Sequence, residues 1–144
     1  MRLPEKKLTE RMLQDEEEKG LRLETMIYDK MRKVILEDSV RTVVFAEVED
    51  TCYEIVFYSL FEQKGYKQCY ALAEEGVLDG DILQKIFGQM AESIRMDSHY
   101  QKEQINVFSF VFDGGGVKME VEQFGKEMRL HRIKKAWKER YLNA

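Results

Sequence analysis

Residues 105–124 read INVFSFVFDGGGVKMEVEQF, and this stretch decides the fold class. Two runs rich in aromatic and β-branched residues, 105–112 and 117–124, flank Asp113-Gly114-Gly115-Gly116. Glycine takes the positive φ that tight hairpin turns demand, so the stretch predicts a β-hairpin. In the first run Phe108, Phe110 and Phe112 oppose Ile105, Val107 and Val111, which makes both faces apolar. In the second, Val117, Met119 and Val121 alternate with Lys118, Glu120 and Glu122, the pattern of a half-exposed or edge strand.

Upstream, Ile82, Leu83, Ile86, Phe87, Met90, Ala91 and Ile94 fall on one stripe of a helix over 82–96, with Asp79 as N-cap. Ile86, Phe87 and Met90 are expected against the sheet. Before that helix, 41–48, 52–61 and 66–73 read as a three-strand meander, turning at Glu49-Asp50-Thr51 and at Glu62-Gln63-Lys64-Gly65. Strands one and two are again apolar on both faces. Residues 21–37 carry Leu23, Ile27, Met31, Val34 and Ile35 at helical spacing, and 4–18 is helix-permissive with few apolar positions. Gly20 separates the two, and residues 1–20 read as a loosely packed N-terminal helix. A last helix over 126–141 places Leu130, Ile133, Trp137 and Tyr141 on one side. The whole predicts a single α+β domain over 1–144, with a mainly antiparallel five-stranded sheet in the order (α)αβββαββα.

Two-faced apolar strands require cover on both sides. Helices 82–96 and 128–141 are expected to cover one face and 21–37 only part of the other. The remainder is to be covered by the chain's own N-terminal helices, by another subunit or by a client; where the helices fall short, association through apolar surface as a two-fold homodimer is expected.

The 144 residues suit one domain that buries a core without staples. A net charge of −4 disfavours bulk binding to nucleic acid or anionic membrane. No run approaches the roughly 18 apolar residues of a membrane span. The charged N-terminus lacks the apolar core of a signal peptide. A cytoplasmic location is therefore expected. Two cysteines imply no disulfide framework.

Chemistry-bearing motifs are weak. Asp113–Gly116 leads from strand to strand, with no Gly-Lys-Ser/Thr following, so a hairpin turn explains it better than a phosphate cradle. Cys52, Cys69, His99 and His131 lack zinc-ligand spacing, and two buried thiols plus solvated histidines are the simpler account. No metal and no cofactor is expected. Glu47, Glu49, Asp50 and Glu54 gather at the first turn and read as a solvated hairpin tip. Asp79-Gly80-Asp81 is too short for a calcium loop and reads as helix entry. Residues 125–144 hold seven Lys or Arg and two Glu, a charge of +5, against −9 for the remainder. Arg129, Arg132, Lys135 and Lys138 with Trp137 thus form a candidate interaction surface, with Trp137 or Tyr141 for stacking on bases. The competing account is a helix C-terminus complemented by cations, with Trp137 docked on the sheet.

The element order αβββαββα, the length and the acidity resemble the small, dimeric chaperones of type III secretion. That resemblance implies a chaperone-like protein that binds a polypeptide. With no catalytic motif, the expectation is a non-enzymatic protein-interaction module whose partner is another protein or a second copy. The alternative is a small-molecule or nucleotide-binding protein with a pocket between sheet and helices. A nucleic-acid binder using the basic C-terminal helix comes third. A flat apolar patch would favour the first, a concave pocket with convergent polar groups the second.

Overall fold

The computed structural model describes residues 23–143. The helix expected over 4–18 lies outside them, as does any packing of residues 1–20. Strands β1 (Ser39–Val48), β2 (Tyr53–Phe61), β3 (Gly65–Gln68), β4 (Ile105–Asp113) and β5 (Gly116–Phe124) form one antiparallel sheet in the order β3-β2-β1-β4-β5. The helices are α1 (residues 23–31), α2 (Cys69–Glu74), α3 (Gly80–Arg95) and α4 (Leu130–Leu142). The α+β class, with a meander plus a hairpin in one antiparallel sheet, is as the sequence predicts.

Local chemistry sets the turns. Asp113 pairs with Gly116, which has φ +115°, and the Asp113 carboxylate accepts a hydrogen bond from the Gly115 N–H at 2.8 Å. Gly65 takes φ +76° at the β2–β3 turn. Asp79 caps α3 by accepting from the N–H groups of Asp81 at 2.9 Å and Ile82 at 3.4 Å.

The third strand is shorter than expected: it ends at Gln68, and Cys69–Glu74 is helix. Ala71, Leu72, Ala73 and Glu74 are good helix formers, and Cys69 and Leu72, three apart, are the residues buried. The expectation of a strand over 66–73 rested on residue types that a run this short shares with a helix. The helix over 21–37 also ends early, at Met31; a turn follows, and Ser39 opens β1. The last helix begins at Leu130, after a turn closed by Met128 N–H to Gly125 C=O at 3.0 Å.

The helices layer differently from the expectation. Cross-strand register places Phe45, Val56, Tyr58 and Ser109 on one face, and Val44, Phe57, Phe110 and Phe112 on the other. Trp137 of α4 packs edge-on against Phe45 on the first face. Phe87 of α3 meets Phe57 on the second, where Tyr28 of α1 also meets Phe112. So α4 covers one face, while α3 and α1 share the other. Residues 42–48 of β1 and 105–112 of β4 are buried within one chain. The ground for expecting a second subunit over an open face is therefore removed. Ile86, Phe87 and Met90 are buried as expected, whereas Ile82 is exposed.

Candidate functional site

Where α1 leads into β1 and β4 turns into β5, the structure holds a cavity of about 530 Å³. Binding sites for small molecules commonly span roughly 300–1,000 Å³. Two further hollows, of about 200 and 190 Å³, fall below that range. Tyr28, Ile35, Leu36, Val40 and Phe112 provide apolar wall, and Gly114 and Gly116 of the hairpin turn close one side. The Tyr28 and Phe112 ring centroids lie 6.1 Å apart. The β1–β2 register shifts between Ser39 and Arg41, so Val40 bulges out of the ladder and is 45% exposed. Irregularities of this kind re-aim side chains next to binding sites.

The polar groups of the wall differ in their engagement. Arg32 is exposed and pairs with Asp29 at 3.4 Å, Asp113 is occupied by the Gly115 N–H, and Glu37 is exposed. Ser39 donates its hydroxyl to the Leu36 carbonyl at 2.6 Å. Arg41 is half-buried, its Nε is shut off from solvent without a hydrogen-bond partner, and none of the salt bridges among the described residues involves it. Thr42 and its cross-strand neighbour Ser59 are buried side by side with unpartnered hydroxyls. Apart from Asp113–Gly116, sequence reasoning named only Ile35 and Phe112 among these residues, and those as apolar positions of a helix and a strand rather than as parts of a site. The available signal was Arg41 itself, a cation heading an apolar strand.

At the opposite end of β1, the acidic cluster departs in part from the solvated tip expected: Asp50 is exposed and Glu49 and Glu54 are half-buried, but Glu47 is buried. Glu47 is 3% exposed on the α4 face and stands directly opposite Glu54, whose carboxylate takes Lys134 of α4 at 2.9 Å. Burial, then a hydrogen bond with Glu49, then the charges of Glu49 and Glu54 push the Glu47 carboxyl up to about 8. Arg95 of α3 holds the turn by donating to the carbonyls of Glu49 at 2.9 Å and Cys52 at 3.3 Å.

The proposed basic surface divides. Arg129, Arg132, Lys135 and Lys138 are exposed. Trp137 is 5% exposed, packs on Phe45, Tyr58 and Tyr141, and donates its indole N–H to Ser109 Oγ at 2.9 Å. It cannot stack on a base, and Tyr141 is likewise buried. Arg140 turns back to Glu120 and Glu122, as Lys134 does to Glu54, so these cations fasten the helix to the sheet.

Cys52 is exposed and Cys69 opens α2, so they are neither both buried nor on neighbouring strands. Burial raises the Cys69 thiol to about 11, away from nucleophilic reactivity. His99 has a partner that sequence reasoning missed: its Nδ1 lies 2.8 Å from Asp97 Oδ2. Among the described residues, no group of three or more His, Cys, Asp or Glu is placed to hold a metal ion. No described helix is long and apolar enough to cross a membrane. No known protein-family model matches the chain, and no curated protein matches it in sequence.

Proposed function

We propose that this protein is a non-enzymatic binding protein that holds a small molecule in the cavity between α1, the start of β1 and the β4–β5 turn. The observation that carries the reading is a ligand-sized hollow with an apolar wall and the half-buried Arg41 at its margin. Cover of both sheet faces by the chain's own helices moves the reading away from a broad apolar docking face. Titrating pools of small metabolites into ¹⁵N-labelled protein tests it. Amide shifts concentrated at residues 28–42 and 112–116, and abolished by Val40→Trp at the mouth, are the expected result. Shifts scattered elsewhere, or none, overturn it.

A polypeptide partner, including a second copy, keeps one structural ground. Among the described residues, β5 is an outer strand of nine residues with no strand paired on its far side. Open edges of this kind accept an added strand, and the resemblance to dimeric secretion chaperones supports the same reading. Lys118, Glu120 and Glu122 weigh against it, since charged side chains guard edges from pairing. Sedimentation equilibrium across micromolar concentrations should give twice the chain mass if β5 pairs with itself; a single-chain mass throughout removes self-association.

A further inference from the structure

We infer that two copies of this chain join antiparallel along β5, with the two-fold axis through Met119, so that Lys118 of each copy lies opposite Glu120 of the other. The surface involved is the strand edge, not a sheet face. The inference rests on β5 being a site for an added strand and is independent of the cavity.

Asp113 pairs with Gly116 across a two-residue loop, and the closing pair of such a hairpin is hydrogen-bonded. Bonded and non-bonded pairs alternate from there, so Lys118, Glu120 and Glu122 bond to β4 through their backbones. The N–H and C=O groups of Val117, Met119 and Val121 therefore point away from the sheet. Among the described residues, no hydrogen bond reaches them. The other edge is closed: β3 pairs with residues 58–61 of β2, and the Ile55 carbonyl accepts from the Tyr70 hydroxyl at 2.6 Å.

Side chains then select the partner. Val117, Met119 and Val121 are half-buried on the face that α1 and α3 cover, and Lys118, Glu120 and Glu122 are exposed on the α4 face. Glu120 and Glu122 are held by Arg140, whereas Lys118 enters no salt bridge among the described residues. Such charges turn most strands away, but a second β5 carries their complement. With the axis through Met119, Met119 meets its own copy and Val117 meets Val121, each as a hydrogen-bonded pair. Lys118 then meets Glu120 at the non-bonded positions between, where opposed side chains lie closest. Glu122 falls opposite Gly116 and meets no charge. Moving the axis to residue 118 sets Lys118 against its own copy, and moving it to residue 120 does the same to Glu120. Like charges directly opposite disfavour pairing, so the register through Met119 is selected.

Sedimentation equilibrium of the parent is expected to give twice the chain mass, and variants at β5 then test the register. Met119→Pro removes an N–H that faces the second copy rather than β4, so it should abolish the dimer and keep the fold by circular dichroism. Lys118→Glu and Glu120→Lys each set like charges opposite one another and should weaken the dimer by about 10- to 100-fold. Mixing those two single variants restores opposite charges at both positions, so a heterodimer of near-parent affinity is expected. Its recovery also shows both variants to be folded. The charge variants, at exposed positions, decide alone if the proline variant does not fold. A doubled mass indifferent to these substitutions, or a mixture that stays as weak as the single variants, overturns the β5 register and leaves self-association standing. A single-chain mass throughout overturns the inference and self-pairing with it, and leaves β5 open only to a different polypeptide.

Discussion

Replacing Glu47 by glutamine is expected to leave stability near the parent's at pH 5 and to raise it at pH 8 and above by on the order of 3–5 kcal/mol. Glu47 is buried on the α4 face, opposite Glu54 and close to the charge of Glu49, and its carboxyl is raised from 4.5 to about 8. The folded state therefore keeps a proton that the unfolded chain releases. Its contribution to stability is full below about pH 4.5 and is lost as pH rises through about 8. Glutamine copies the shape and polarity of the protonated acid but has no charge to form. Urea unfolding of parent and variant at pH 5, 6, 7 and 8 gives the test. Parallel profiles would show that Glu47 ionises freely in the folded protein; a gap that widens with pH is the expected outcome.

Trp137→Ala should cost about 3–5 kcal/mol, the range for losing a packed aromatic core residue. Three rings surround the indole, with centroids 5.3 Å away at Phe45, 5.9 Å at Tyr58 and 5.0 Å at Tyr141. The indole N–H also satisfies the buried Ser109 hydroxyl. Trp137→Phe keeps much of the packing and leaves Ser109 unpaired, so it should cost less, about 1–3 kcal/mol. Urea unfolding followed by circular dichroism reads both. A loss under about 0.5 kcal/mol for the alanine variant, the usual surface range, would mean that α4 does not hold to the sheet through Trp137.

The two predictions concern one interface, and its parts were not equally legible. The stripe of Ile133, Trp137 and Tyr141 is plain from spacing, because helical periodicity is local. That Lys134 and Arg140 reach back to Glu54, Glu120 and Glu122 is not, because strand and helix meet only through tertiary packing. Exposed charge in sequence looked like a surface for a partner; in the fold part of it is a clasp. Glu47 failed for the same reason. A glutamate beside other acids near a turn reads as solvated, and only the placement of α4 over that end of β1 removes the water.

Sequence alone determined the elements whose signal lies within a few residues. The Asp113–Gly116 hairpin needs glycine's φ, α3 needs its stripe and the Asp79 cap, and β1, β2 and β4 need their apolar runs. It also determined that both sheet faces must be covered, since side chains alternate along a strand. Tertiary structure decided what does the covering, α4 on one face and α1 with α3 on the other. It also turned Cys69–Glu74 into helix, where six residues satisfy either period until packing buries Cys69 and Leu72. The cavity belongs wholly to this second kind. Tyr28, Arg41 and the pair Phe112 and Gly114 come from three separate segments, and no local pattern records that the end of α1, a bulged strand and a glycine turn meet around one hollow.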